Sequence, residues 1–152
     1  MSGSCRPNIA KAAYVSGGSG PIAGAWSLRI LVVEDEAIAA LDLESYLLAI
    51  GHDVVGVVAT GPDAITAAAT HRPDVVFMDI RLSGGTSGID AALEIRNRLG
   101  IPSVFLTAHT DAATYQQALA ARPIDYLVKP YAHTQIDAVL KRVAGGRGGG
   151  RP

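Results

Sequence analysis

Hydrophobic positions in this chain fall into short unbroken runs, separated by longer stretches whose apolar residues recur every three or four positions. The runs are "RILVV" (29–33), "HDVVGVVA" (52–59), "DVVFM" (74–78), "PSVFLT" (102–107) and "IDYLV" (124–128). Near-continuous Val, Ile, Leu and Phe over five or six residues read as strands covered on both faces. Residues 36–50 place Ile38, Leu41, Ser45 and Leu48 at helical spacing, with Gly51 as a stop signal. Residues 61–71 carry Pro62 in a first turn and are closed by Arg72-Pro73. Residues 87–99 repeat the pattern through Ile89, Leu93 or Ala92, and Arg96 to Leu99, and residues 111–121 form a further helix. A last helix over 132–143 puts Ile136, Val139, Leu140 and Val143 on one face. Five strand–helix units in alternation predict an α/β fold: a doubly wound, five-stranded parallel sheet with helices on both faces.

The two ends do not share this pattern. Residues 1–27 are rich in Gly, Ser and Ala and are expected to be a flexible or partly ordered tail, with Ile22 and Trp26 as the residues able to dock on the domain. Residues 144–152 are dominated by Gly and Arg and are expected to be disordered, which leaves 28–143 as the domain. Hydrophobic residues make up 49% and charged residues 18% of the 152, ample for one core. A net charge of −1, with no basic stripe among aromatics, argues against nucleic acid or an anionic membrane as partner. Cys5 stands alone, which excludes an internal disulfide and a multi-cysteine zinc site. No apolar run approaches the roughly 20 residues that span a bilayer. The stretch "SGGSGPIAG" interrupts any leader, so the expected location is cytoplasmic. His52, His71 and His133 show no ligand spacing and are expected at the surface. "GVVATG" lacks the Gly-Lys-Ser/Thr of a P-loop.

The segment "DVVFMDIRL" (74–82) sets an acid, Asp79, at the end of an apolar run. Desolvating a carboxylate is costly unless something pairs with it. Asp79 is either a capping acid of a strand-to-helix loop or a group at the sheet rim where ligands of such folds bind. The other strand ends favour the second reading. The first ends in Glu34-Asp35-Glu36, the fourth in Thr107-Ala108-His109 and the fifth in Lys129-Pro130. In a parallel sheet these ends share one edge. Carboxylates gathered there repel unless a cation joins them. Oxygen-only ligands suit a hard divalent ion, and magnesium takes one or two carboxylates together with waters and a phosphate oxygen. Lys129 offers a second positive charge and Thr107 a hydroxyl donor. This set matches a phosphoryl group carried on a carboxylate, which can itself be the nucleophile.

On the stretches "ILVVEDE", "VVFMDIRL", "VFLTAH" and "DYLVKPY", the chain resembles the receiver domain of two-component response regulators, over about residues 28–143. The resemblance implies a flavodoxin-like strand order 2-1-3-4-5 and Mg2+ as cofactor. It implies Asp79 as phosphoacceptor, with Glu34, Asp35, Asp79 and the backbone carbonyl of Arg81 around the metal. Thr107 matches the switch hydroxyl, followed by the backbone of Ala108. Lys129 matches the phosphate-binding lysine, in a lysine–proline peptide that is usually cis. Tyr126 matches the aromatic that moves inward on activation, and the Arg81 and His109 side chains those that tune phosphate loss. The chain departs from the family pattern at Ser83, where a proline is usual, in a loop one residue longer before Gly88, and at Glu34, where aspartate is more usual.

The expected function is that of a stand-alone signalling domain, not an enzyme in the ordinary sense, although it catalyses its own phosphorylation and dephosphorylation. Its partners would be a histidine kinase or histidine phosphotransfer protein, then a downstream protein target, or it would drain phosphate from a kinase. Homodimers are compatible with the resemblance. Two other readings are an aspartate-nucleophile phosphatase and a phosphate-independent interaction module. The first generally wants an acid two residues after the nucleophile, where Arg81 stands. The second leaves the full set of site residues without a role.

Overall fold

All five expected strands form, and the chain alternates them with helices throughout. In the computed structural model, which describes residues 27–85, 87–108 and 111–150 (side chains to 146), the order is β1 Arg29–Val33, α1 Ala37–Ala49, β2 Asp53–Val58, α2 Gly61–His71 and β3 Val75–Asp79. A 3-10 turn at Ser83–Gly85 leads to α3 Gly88–Leu99, β4 Ser103–Thr107, α4 Ala112–Leu119, β5 Asp125–Val128 and α5 His133–Gly150. The tail residues 1–26, with Cys5, Ile22 and Trp26, lie outside the described residues, as does His109.

The strands pair in the order β2-β1-β3-β4-β5, every pair parallel. Successive side chains on a strand point to opposite faces, so the apolar runs feed two cores. Leu31, Val33, Val76, Met78 and Phe105 pack with Ala64 and Ala68 of α2, Ile89, Ala92 and Ile95 of α3, and Ala118 of α4. Ile30, Val32, Val75, Phe77, Val104 and Leu106 pack with Leu43 and Leu47 of α1 and Ile136, Val139 and Leu140 of α5. Fully buried side chains of this size each contribute about 1.5–3 kcal/mol relative to exposure. Among the described residues no helix is long and apolar enough to cross a membrane.

Local signals set the helix ends. The Thr60 hydroxyl accepts from the Asp63 N–H at 3.2 Å at the start of α2, and Pro62 lies in the first turn. Both α2 and the turn after α4 close on an arginine with φ of 50°, Arg72 and Arg122, each directly before a proline. A residue before proline is driven out of the right-handed helical region; α4 ends short of the expected 121 because its last turn tightens, with the Ala120, Ala121 and Arg122 N–H groups donating three residues back to Gln117, Ala118 and Leu119 O. Beyond Val143, where the composition argues for a tail, helical backbone continues to Gly150. Each residue added to a formed helix gains a hydrogen bond without a new nucleation cost.

Two expectations are corrected here. Helix α1 buries Ala40, Leu43 and Leu47, not Ile38, Leu41 and Leu48. Ile38 and Leu41 are 78% and 62% exposed. The helix is apolar almost all round, so the spacing fits two faces, and small Ala40 lies on the face that packs toward the sheet. His52 is buried, not exposed, and its Nδ1 accepts from the Leu28 N–H at 3.1 Å. Leu28 leads into β1, where its N–H needs an acceptor once buried, and an imidazole nitrogen supplies one. His71 and His133 are exposed as expected, with His133 stacked on Tyr46 at 3.7 Å between centroids.

Candidate functional site

Because every strand runs the same way, the carboxyl ends of β1, β3, β4 and β5 meet at one edge of the sheet. Glu34 continues β1, and its N–H donates to Val58 O at 2.9 Å. Asp79 is the last residue of β3 and Thr107 the last of β4. Lys129 follows β5, its N–H donates to Thr107 O at 2.7 Å, and the Lys129–Pro130 peptide is cis. These are main-chain constraints, so the sheet itself fixes where the backbone of Glu34, Asp79, Thr107 and Lys129 stands.

The side chains converge. Lys129 Nζ donates to Oε1 of Glu34 at 2.7 Å and to Oδ2 of Asp79 at 3.1 Å. Glu34, Asp79 and Thr107 are buried, while Asp35 is exposed. Glu34, Asp35 and Asp79 each offer a carboxylate oxygen, and these lie within 4.8 Å of one another. The oxygens of Glu34 and Asp79 that Lys129 does not reach are engaged by nearby main chain. Oε2 of Glu34 accepts from the Glu36 N–H at 3.1 Å, and Oδ1 of Asp79 from the Arg81 N–H at 3.2 Å.

The electrostatics follow from this packing. Burial raises the Glu34 carboxyl above its ordinary value; the Lys129 bond opposes this only in part, and neighbouring Asp79 adds to it. Burial works against the Lys129 ammonium, but Glu34 and Asp79 outweigh it and hold its pKa above the ordinary lysine value. Three carboxylates face one ammonium, leaving an excess of two negative charges when all are ionised. An oxygen-only set with that deficit fits a hard divalent cation such as Mg2+.

Of the remaining expected residues, Tyr126, Ala108 and Arg81 fall within the described residues. Tyr126 on β5 is half-buried, its ring edge-on to Tyr115 at 5.0 Å, and burial raises its phenol pKa. Ala108 is exposed directly after β4. Arg81 is exposed, and its backbone bridges to Ser87. Asp111 accepts from the N–H and hydroxyl of Thr114 at 3.0 and 2.8 Å. Those bonds, helped by the charge of Arg81, hold the Asp111 carboxyl below the usual range.

Three residues were not assigned a part by the sequence. Ser83 Oγ donates to Oδ2 of Asp35 at 2.9 Å. Gly88 opens α3 so close to β3 that a Cβ there would lie 1.9 Å from the Asp79 carbonyl oxygen. Tyr131 has its phenol pKa raised by burial, with Lys129 opposing and Glu34, Asp42 and Asp79 reinforcing, which places it in the field of the same charges. For Ser83 and Gly88 the signal was the unusual loop "IRLSGGTSG" itself.

Comparison with known proteins agrees with this arrangement. The family model described as "Response regulator receiver domain" matches residues 30–141. The transcriptional regulatory protein PdtaR of Mycobacterium tuberculosis H37Rv is 38% identical over 108 residues, covering 71% of this chain and 52% of that protein. The chain thus spans about half the length of such curated relatives. Among solved structures, the signal receiver domain of a modulated diguanylate cyclase from Desulfovibrio desulfuricans G20 aligns with a TM-score of 0.74 and 32% identity, over 78% of this chain and 94% of that one. The receiver domain of sensor histidine kinase PA1611 from Pseudomonas aeruginosa PAO1, solved with a magnesium ion coordinated in the active site cleft, aligns with a TM-score of 0.70 and 32% identity, over 78% and 98%. With its strand order, its acidic edge and a family match over most of its length, the chain belongs to the response regulator receiver domain family.

Proposed function

We propose that residues 28–143 form a receiver whose Asp79 accepts a phosphoryl group from a phosphohistidine on a histidine kinase or histidine phosphotransfer protein, in the cytoplasm. An Asp79 oxygen forms a bond to phosphorus as the P–N bond breaks, and the electron pair leaves with the imidazole nitrogen. Glu34, Asp35, Asp79 and the Arg81 carbonyl would hold Mg2+, which when bound neutralises charge gathering on the phosphoryl oxygens. Lys129, 3.1 Å from Asp79 Oδ2, is placed to follow that charge onto the phosphoryl group. The Ala108 backbone N–H and the Thr107 hydroxyl then turn to the phosphoryl oxygens, and Tyr126 takes up the space that Thr107 leaves. The surface of α4, β5 and α5 shifts its population in consequence. Output is by contact with another protein, and the side chains of Arg81 and His109 set how long the phosphoryl group survives.

The observation that carries this reading is the double contact of Lys129 with Glu34 and Asp79 at the edge shared by the strand ends. The test is transfer from phosphohistidine-bearing kinases and phosphotransfer proteins, run beside steady hydrolysis of a phosphate ester. Single-turnover transfer to the parent and none to Asp79→Asn is expected. Sustained ester turnover that survives Asp79→Asn, with no transfer from any donor, would overturn the proposal.

A further inference from the structure

Asp35 is exposed, and a carboxylate there is free to rotate into water unless something holds it. Ser83 does so: its hydroxyl donates to Oδ2 of Asp35 at 2.9 Å, across 48 positions of sequence. The loop that carries Ser83 is built to keep it in place. Gly84 and Gly85 turn the chain with φ of 82° and 75°, a left-handed backbone that side chains rarely adopt. Arg81 bridges to Ser87, and the Gly88 N–H donates to Ile80 O at 2.7 Å, which closes the base of the loop. A proline at position 83, usual in the pattern this chain resembles, has no hydroxyl and leaves Asp35 without this bond.

We propose that Ser83 is a positioning residue for the divalent ion, its hydroxyl keeping the Asp35 carboxylate within ligand distance of Glu34 and Asp79. The inference rests on the receiver reading above and adds a residue to its metal site. A carboxylate already held in place gives up less rotational freedom when it binds an ion. Groups that orient metal ligands in this way are typically worth 10–100-fold in affinity. Ser83 is exposed, so the effect belongs at the low end.

The experiment titrates Mg2+ into the full chain and follows amide chemical shifts, for the parent, Ser83→Ala and Ser83→Thr, with metal-free melting curves alongside. Ser83→Ala is expected to bind Mg2+ about tenfold more weakly. Ser83→Thr, which keeps the hydroxyl, is expected to match the parent, and all three are expected to melt alike without metal. Mg2+ affinity unchanged in Ser83→Ala, or lost equally in Ser83→Thr, would overturn the role of Ser83 and leave the receiver reading intact. A parent that binds no Mg2+ would overturn both.

Discussion

Gly88→Ala separates the fold's needs from the site's. A Cβ at position 88 would lie 1.9 Å from the Asp79 carbonyl oxygen, 2.9 Å from its carbonyl carbon and 3.0 Å from Ile80 Cα. All three neighbours are backbone, so no side chain can swing aside. Opening an ordinary contact of 3.4 Å requires about 1.5 Å of movement between α3 and the end of β3, and overpacking of this kind costs about 1–3 kcal/mol. Alanine's better helix propensity returns about 1 kcal/mol at most, so the net loss is about 0–2 kcal/mol. The site suffers more than the fold, because the strand end that moves carries Asp79. A misplacement of about 1 Å can lower a rate about 100-fold. Urea melts and the initial rate of labelling by acetyl phosphate measure the two effects on one preparation. Labelling at the parental rate in Gly88→Ala would refute the claim that close approach of Gly88 fixes Asp79.

Lys129→Met removes the only cation bonded to Glu34 and Asp79 among the described residues, and should destabilise the metal-free protein and slow acetyl phosphate labelling. Breaking a buried pair costs about 3–5 kcal/mol; Lys129 keeps 24% exposure, so urea melts in EDTA should give the low end of that range or less. The raised pKa of Glu34 means that the folded state holds its proton more tightly than the unfolded chain. Its contribution to stability is therefore full below the ordinary value of 4.5 and is lost as pH rises through the folded pKa. In EDTA, Glu34→Gln should accordingly gain stability relative to the parent as pH rises above 4.5, and parallel stability profiles would contradict this. Ile38 and Leu41 project from α1, which starts just after the acidic pair, so the phosphohistidine protein proposed above would approach Asp79 over them. Ile38→Asp with Leu41→Asp should leave acetyl phosphate labelling unchanged, alter stability by no more than about 1 kcal/mol, and slow transfer from a phosphohistidine protein about tenfold or more.

The strands were legible because burial on both faces writes near-continuous Val, Ile and Phe into the chain. The site was legible for a related reason: parallel strands bring their carboxyl ends to one edge, so Glu34, Asp35, Asp79, Thr107 and Lys129 had to be neighbours. What stayed hidden depends on contacts that no period encodes. Helix α1 is apolar nearly all round, so its pattern could not say that Leu43 and Leu47, not Ile38 and Leu41, face the sheet. His52 reads as a polar surface residue until Leu28 supplies an N–H for its Nδ1. Ser83 and Asp35 are 48 residues apart, and their bond depends on a loop turned by two glycines. Arg72 and Arg122 were legible as the ends of their helices, but not the left-handed conformation that each adopts ahead of a proline.

The most direct test labels the chain with acetyl phosphate and maps the modified peptide by mass spectrometry, with and without Mg2+. One phosphoryl group per chain, on Asp79, formed only with Mg2+ and absent from Asp79→Asn, is the predicted result. Labelling that persists in Asp79→Asn, or that proceeds equally well in EDTA, would contradict the central claim.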